Sequence, residues 1–268
     1  MTIRVCVAGA TGWTGSAVAR AILAAPDEFT LAGAVARRRM GEDIGEALGL
    51  ASAGVRVVGS VREALREPTD VLIDYTSHEA VKANILTALE LGVRVVAGSS
   101  GLTVADYEEI GLVASERGLG VIAAGNFSIT AALAKRFALI AARYLPSWEL
   151  IDYAHADKTD APSGTVRELA EELGQVRQPH IEVPIERTHG EATARGADIA
   201  GSRVHSVRLP SYVIAFEAIF GQPSERLTIR HDAGVDAGPY VAGTLLAVRR
   251  VMDVKGLTRG LDRLMLDN

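Results

Sequence analysis

Short apolar runs alternate with helix-patterned segments through the first half of the chain. The strand candidates, rich in valine, isoleucine and alanine, are 2–8, 30–36, 70–75, 93–98 and 119–125. Segments with apolar residues at helical spacing lie between them, at 14–25, 79–91 and 103–117. Strand–helix–strand alternation predicts a parallel sheet with helices on both faces. Because such crossovers are right-handed, we expect a doubly wound sheet of the Rossmann type.

The second half of the chain follows a different pattern. A helix is predicted near 129–143 and a strand at 148–155, and polar residues fill 175–200. Three strand candidates then follow closely, at 202–209, 211–220 and 226–232. Strands joined by short turns are typical of a mixed or antiparallel sheet, so we predict a second, α+β domain. Residues 239–264 return to helical spacing, and Pro239 suits a first helical turn.

Composition narrows the functional classes. The 268 residues are 48% hydrophobic and 23% charged, which is typical of a globular protein with a full-sized core. A net charge of −5 offers no basic field for nucleic acid. We find neither a signal-peptide pattern nor a membrane-spanning apolar run, and therefore expect a cytoplasmic protein. The single cysteine, Cys6, excludes an internal disulfide, and no cluster has metal-ligand spacing, so we expect no metal.

A glycine-rich turn, G-A-T-G-W-T-G, occupies residues 9–15 between the first strand and the first helix. In a dinucleotide-binding turn, the first glycine permits a tight bend, the second admits a pyrophosphate and the third allows close helix packing. The phosphates then meet N–H groups at the positive end of the helix. A ligand-free turn is the alternative, but the strand–turn–helix context favours binding. The predicted cofactor contacts here are Gly9, Thr11, Gly12, Trp13, Thr14 and Gly15.

The end of the second strand indicates which dinucleotide binds. An NAD site needs an acidic residue there for the ribose hydroxyls, whereas an NADP site needs arginine for the 2′-phosphate. This chain has Ala36 at the expected acidic position, followed by Arg37, Arg38 and Arg39. Guanidinium groups match phosphate oxygens in a bidentate way. We therefore predict that Arg37 and Arg38 select NADPH over NADH, with a solvated basic loop as the alternative.

Four further motifs complete the pattern: D-Y-T at 74–76, G-S-S-G at 98–101, A-G-N-F-S at 124–128 and K-T-D-A-P-S-G-T at 158–165. Together they resemble the dihydrodipicolinate reductase family, nearly end to end and in the same order. The last motif is the most specific. The resemblance implies an NADPH-dependent oxidoreductase that reduces 4-hydroxy-tetrahydrodipicolinate, an anionic cyclic imine, in lysine and diaminopimelate biosynthesis.

The resemblance also implies a domain plan. Residues 1–127 and 239–268 would form the dinucleotide-binding domain. Residues 128–238 would form the central α+β domain, which binds substrate and builds the oligomer. The family implies a homotetramer, and the residues alone leave a dimer open.

Site residues follow from the resemblance by position. Further cofactor contacts would be Tyr75, Thr76, Gly98, Ser99, Ser100, Gly101, Asn126 and Phe127. The substrate would contact His155, Lys158, Ser163, Gly164 and Thr165, with Lys158 essential and the Gly164 and Thr165 N–H groups holding a carboxylate. Residue chemistry agrees on the last point. Ser163 or Thr165 can cap the following helix, whose N-terminus favours an anion.

One departure concerns the proton donor. The family usually has two adjacent histidines before this lysine, and the first is the general acid. Aligned on Lys158, Ala154 falls at the first and His155 at the second. In a strand these two side chains point to opposite faces. Three alternatives remain open: Lys158 donates the proton, a bulge re-aims His155, or the substrate arrives as a protonated iminium. We favour Lys158, and keep both Lys158 and His155 as catalytic candidates.

Other departures concern the substrate. Leu209 and Pro210 replace two glycines of the family pattern, Phe216 replaces part of a polar pair, and Trp13-Thr14 replaces Arg-Met. A same-fold reductase of another imine or imino acid is therefore the second hypothesis. A non-catalytic NADP-binding sensor is the third, because a fold alone never excludes it.

Overall fold

The computed structural model describes residues 2–99 and 101–265. The strands, in chain order, are β1 (Ile3–Ala8), β2 (Phe29–Val35), β3 (Val57–Val58), β4 (Val71–Asp74), β5 (Arg94–Ala97), β6 (Gly120–Ala123), β7 (Ser147–Ala154), β8 (Ala197–Ile199), β9 (Ser202–Arg208), β10 (Ile214–Gln222), β11 (Glu225–Ala233) and β12 (Gly256–Arg259). The α-helices are α1 (Trp13–Leu23), α2 (Ile44–Ala47), α3 (Val61–Ala64), α4 (Val81–Glu90), α5 (Val104–Glu116), α6 (Ile129–Tyr144), α7 (Gly164–Val176) and α8 (Gly238–Arg250). Short 3₁₀ turns cover Ile185–Arg187, Ala192–Arg195 and Asp262–Leu264.

The chain divides into two compact units. The first comprises Met1–Ile129 and Ala237–Asn268, and the second comprises Thr130–Asp236. In the described part of the chain, no helix combines the length and the apolar character needed to cross a bilayer.

The first unit is built on a parallel sheet with the strand order β12-β6-β5-β4-β1-β2-β3. Every pairing between these strands is parallel. The central strands are continuous apolar runs, as expected for strands covered on both faces. The strand order reverses at β1, and ligands of such sheets bind at the carboxyl ends of the strands beside this point. The predicted doubly wound fold is confirmed.

The second unit contains a five-stranded mixed sheet with the order β11-β10-β7-β9-β8. β7 runs parallel to β9 and antiparallel to β10, which confirms the predicted α+β character. Side chains of β7 alternate strictly, with Trp148, Leu150, Asp152 and Ala154 buried. Trp148 and Leu150 pack into one core with α6 and α7. The buried carboxylate of Asp152 stands at a position that the alternation assigns to the core.

Helical spacing misled the prediction for residues 239–264. α8 ends at Arg250, and residues 256–259 form β12, which pairs with β6 at the sheet edge. Gly256, the first residue of this strand, and Gly260, directly after it, have φ values of +83° and +88°. Left-handed backbone of that kind does not continue a helix, and the four residues G-L-T-R, with one apolar side chain, are too few for periodicity to distinguish a strand from a helix.

Candidate active site

Backbone proximity shapes the glycine turn of the first unit. Gly9 has a φ of +83°, and a Cβ atom there would lie 2.2 Å from the Tyr75 carbonyl oxygen. A Cβ atom at Gly15 would lie 2.1 Å from the Gly9 carbonyl oxygen, so α1 starts directly against the turn. Gly12 precedes α1, where no described side chain caps the helix and its first turn has no acidic residue. The N–H groups at this helix start are therefore available to an anion.

A groove of about 830 Å³ opens along this turn. Of the predicted cofactor residues, those that line it are Gly9, Thr11, Gly12, Arg37, Arg38, Tyr75 and Thr76. Both arginines are exposed, and the groove also contains Ala36 and the carboxylate of Glu79. Arg39 differs from them, because its guanidinium donates to Glu42 and to the Ala47 carbonyl. The glycine turn and the free start of α1 can receive the pyrophosphate of a nicotinamide dinucleotide, and the two exposed guanidinium groups line the same groove.

Asp74, at the carboxyl end of β4, accepts hydrogen bonds from several residues beside the groove. Its fully buried carboxylate accepts hydrogen bonds from the Thr76 N–H at 3.0 Å, the Ser99 hydroxyl at 2.7 Å and the Asn84 amide at 2.8 Å. Sequence analysis did not assign a role to Asp74. An acidic residue ending an otherwise apolar strand is a signal that could have found it, because a buried carboxylate needs donors. Asp74 thus ties Thr76 to Ser99.

Tyr75 contacts two other predicted cofactor residues, Gly98 and Phe127. Its hydroxyl lies 2.6 Å from the Thr244 hydroxyl, and burial raises the pKa of this phenol. A Cβ atom at Gly98 would lie 2.2 Å from the Tyr75 ring, and the Phe127 ring contacts the same ring edge-on with centroids 6.2 Å apart. Phe127 is almost completely buried, so its ring packs against Tyr75 and does not line the groove.

The other predicted cofactor residues have varied surroundings. The Asn126 side-chain oxygen accepts the Ser128 N–H at 2.8 Å, and Gly101 has a φ of +107°. Trp13 is exposed and meets Tyr240 edge-on, with ring centroids 5.6 Å apart. Thr14 is half-buried in α1, and neither Trp13 nor Thr14 lines the groove. Ser100 lies outside the described residues.

The predicted substrate residues of the second unit lie in and around the loop between β7 and α7. β7 pairs in regular register through Ala154, which is completely buried, and His155 follows the strand. The exposed His155 ring has its Nδ1 2.6 Å from Asp157, and this hydrogen bond lowers the pKa of the Asp157 carboxyl. Lys158 is partly exposed, with its Nζ 2.6 Å from the Asp160 carboxylate. The regular register through Ala154 gives no support to a bulge within β7 as a means of re-aiming His155.

Ser163 begins α7. Its Oγ accepts the Val166 N–H at 3.4 Å, which is the predicted cap. The N–H groups of Gly164 and Thr165, in the first turn, have no carbonyl partner within the helix. A Cβ atom at Gly164 would meet no described atom within 4 Å. Packing therefore does not demand a glycine there, whereas close approach of a ligand would.

Sequence analysis missed a buried ion pair behind this loop. Arg208 Nη2 lies 2.7 Å from Asp152 Oδ2, and only 1% of the Asp152 side chain is exposed. The strand alternation could have found it, because a carboxylate at a core position requires a partner. Among the described residues, no group of three or more His, Cys, Asp or Glu side chains is arranged to hold a metal ion.

Two family models match the chain in succession. Residues 3–127 match "Dihydrodipicolinate reductase, N-terminus", and residues 128–265 match "Dihydrodipicolinate reductase, C-terminus". Together they cover nearly the whole sequence.

Full-length relatives agree with the two models. The chain is 39% identical to a 4-hydroxy-tetrahydrodipicolinate reductase of Desulfitobacterium hafniense over 98% of both chains. It is 40% identical to the enzyme of the same name from Moorella thermoacetica, again over 98% of both. Among solved structures, a dipicolinate-bound dihydrodipicolinate reductase from Paenisporosarcina sp. TG-14 superposes with a TM-score of 0.82 and 30% identity, covering 99% of this chain and 100% of that one. The chain belongs to the dihydrodipicolinate reductase family, whose members are nicotinamide-dependent oxidoreductases.

Proposed function

We propose that this protein is the NADPH-dependent reductase of 4-hydroxy-tetrahydrodipicolinate in lysine and diaminopimelate biosynthesis. The observation that carries the proposal is the 158–165 loop. It presents a lysine and an open helix start within a few residues of each other, in a chain whose relatives carry this enzyme name over their full length. A cation and a helix start are the groups that hold the carboxylates of an anionic imine.

The first unit would hold the dinucleotide, and the second would hold the substrate. The glycine turn and the start of α1 would bind the pyrophosphate, and Arg37 with Arg38 would bind the 2′-phosphate. The exposed guanidinium pair and the apolar Ala36 support NADPH over NADH. When bound, the dinucleotide supplies the hydride that reduces the substrate.

Lys158 is our choice for the group that donates the proton. Reduction of a C=N system leaves an electron pair on nitrogen or an adjacent carbon, which must be protonated. A positioned donor accelerates such a step by roughly 10²–10⁴. Lys158 Nζ is partly exposed and oriented by Asp160, whereas Ala154, at the family's acid position, has no proton to give. The exposed His155, oriented by Asp157, would contact a substrate carboxylate.

We also propose a homo-oligomer, either a tetramer or a dimer, that works in the cytoplasm. The face of the second sheet opposite α6 and α7 carries Ile151, Tyr153 and Ile219, which are only half-buried. Half-exposed apolar side chains on a sheet face, here interspersed with Glu149 and Glu217, support association with another copy of the chain. Light scattering after size-exclusion chromatography would measure the state.

A substrate panel with NADPH tests the proposed function. The absorbance of NADPH is followed with 4-hydroxy-tetrahydrodipicolinate and, in parallel, with simple cyclic imino acids. We expect rapid oxidation with the first substrate and a lower kcat/KM with NADH. Dinucleotide binding without turnover of any imine would contradict the proposal and favour a sensor.

A second candidate is a reductase of a different imine. Leu209 is about half exposed, and its N–H donates to the carbonyl of Ala154 at 3.1 Å, directly before His155. An apolar side chain thus stands beside the predicted substrate residues, at a position that is glycine in the family pattern. Phe216 does not contribute to this difference, because its ring is buried in the core of the second unit. Turnover of the simpler imines alone would favour this candidate.

A further inference from the structure

The buried ion pair of the second unit does more than join two strands. Asp152 lies on β7, and its Oδ2 accepts from Arg208 Nη2 at 2.7 Å and from the Ser163 N–H at 2.9 Å. Arg208, the last residue of β9, also donates from Nη2 to the carbonyl oxygen of Asp160 at 2.7 Å. The pair therefore grips the substrate loop at two points, one before and one after residues 161–162.

The two contact points lie next to the groups of the loop that are proposed to bind substrate, namely Lys158 and the start of α7. Asp160 carries the carboxylate that orients Lys158, and its carbonyl is held by Arg208. Ser163 caps α7, and its N–H is held by Asp152. The positions of Lys158 and of the start of α7 therefore both depend on the Asp152–Arg208 pair, whose residues belong to the sheet.

Stability alone is a weak reason for such a pair. Burying two charges costs desolvation energy, and apolar replacements of buried ion pairs are often neutral or stabilising. Loops that bind ligands also need their shape held by groups outside them, because a small misplacement of reacting groups is costly for rate. Two contacts of this pair, to the Ser163 N–H and to the Asp160 carbonyl, go to the loop backbone, whose shape decides where Lys158 points.

We propose that Asp152 and Arg208 are positioning residues, which fix the spacing between the Lys158 ammonium and the N–H groups of Gly164 and Thr165 for an anionic substrate. This inference rests on the proposed function for its substrate, but the holding of the loop is independent of it. The pair acts through the loop backbone and does not itself need to touch the substrate.

Hydrogen exchange tests the holding of the loop without any substrate. In Arg208→Lys, a cation stays beside Asp152, but lysine lacks the second nitrogen, Nη1. In arginine this nitrogen donates to the Asp152 and Val207 carbonyls and so fixes the guanidinium plane that aims Nη2 at the Asp152 carboxylate and at the Asp160 carbonyl. We expect amides within 158–165 to exchange about tenfold faster, a factor that corresponds to about 1.4 kcal/mol, while those of β10 keep their rates. Unchanged exchange across 158–165 would overturn the proposal.

Steady-state kinetics test the positioning role. For Arg208→Lys we expect kcat/KM for 4-hydroxy-tetrahydrodipicolinate to fall about 10- to 100-fold, mainly through KM, with KM for NADPH unchanged. The control is Lys135→Met, which breaks another buried ion pair in the same unit, that of Lys135 with Glu168 and Glu172. It should lower the melting temperature and leave the substrate KM near that of the unmodified protein.

The two readouts separate the possible failures. An equal rise of the substrate KM in both variants, or faster exchange with an unchanged KM, would overturn the positioning role. If the unmodified protein does not turn over 4-hydroxy-tetrahydrodipicolinate, the proposed function fails, and the exchange rates alone decide whether the pair holds the loop.

Discussion

The two candidate binding regions are built in different ways. In the first unit, backbone groups approach so closely at Gly9 and Gly15 that any side chain there would collide with a carbonyl oxygen. In the second unit, the substrate loop is held by a buried side-chain pair, Asp152 and Arg208, which are 56 residues apart in the chain. The dinucleotide turn depends on glycines, which have no side chain, and the substrate loop depends on two side chains that are distant from it in sequence.

This difference teaches where function is sensitive to substitution. A site made of backbone tolerates change in most side chains but not in its glycines. A site held by side chains depends on residues outside its own motif. The following substitutions test each half of this comparison.

The largest expected effect is at Lys158. In Lys158→Met, loss of the proton donor should lower kcat by about 10³, or about 4 kcal/mol of barrier. The Kd for NADPH should stay unchanged, because the residues proposed to bind it lie in the first unit. Lys82→Met removes a lysine that is paired with Asp106 and Glu109, and serves as the control. A Lys158→Met protein with full kcat would remove the proposed proton donor.

The next effect concerns the backbone-built site. In Gly9→Ala, left-handed backbone and collision with the Tyr75 carbonyl should together cost about 3 kcal/mol of unfolding free energy. Gly92→Ala is the matched control, since Gly92 has a φ of +79° but no described atom within 4 Å of its added Cβ. It should lose only about 1 kcal/mol. Urea unfolding measures both, and equal losses would refute the role of close approach.

A smaller effect is expected on the Kd for NADPH when the charged side chains of the first site, rather than its backbone, are changed. Replacing Arg37 and Arg38 together by alanine should raise the Kd for NADPH about 10- to 100-fold, because two charge-assisted contacts are lost. The Kd for NADH should barely change. Arg39→Ala is the control, because that guanidinium is engaged by Glu42 and Ala47. Fluorescence titration with each dinucleotide gives the ratio, and an unchanged ratio would contradict the predicted selectivity.

The smallest effect concerns the start of α7. Ser163→Ala removes the hydroxyl that accepts the Val166 N–H, and should cost about 1 kcal/mol of unfolding free energy. The Ser163 N–H still reaches Asp152, so the loop should keep its shape and the substrate KM should rise less than threefold. A KM increase as large as that expected for Arg208→Lys would mean that the Ser163 hydroxyl, through the cap or through its predicted contact with the substrate, matters as much as the ion pair.

The fold was largely predictable from the sequence, because both of its signals are local. Continuous apolar strands indicate a covered parallel sheet, and the Gly9–Gly15 turn stands directly between a strand and a helix. The wrong prediction of a helix throughout 239–264 also came from relying on local signals. A four-residue edge strand gains its stability from pairing with β6, which no local pattern records.

The candidate sites were predictable only in part. Motifs indicate the residues that would touch ligands, such as Lys158 and Gly164. The D-Y-T motif contains Asp74 but does not indicate its role, and no motif indicates the Asp152–Arg208 pair, because the partners of these groups are distant in sequence. A charged residue at a core position of an alternating strand shows that a partner must exist, but not which residue supplies it.

The pairing of β12 with β6 has a consequence for biosynthesis. Translation delivers residues 2–123 early, yet their sheet stays unfinished until residues 256–259 leave the ribosome and take the edge position beside β6. The continuous segment 130–236 has all its strands much sooner. The nascent chain would therefore complete its middle before its beginning, and an open strand edge on β6 would be exposed to chaperones or to neighbouring chains for the whole interval.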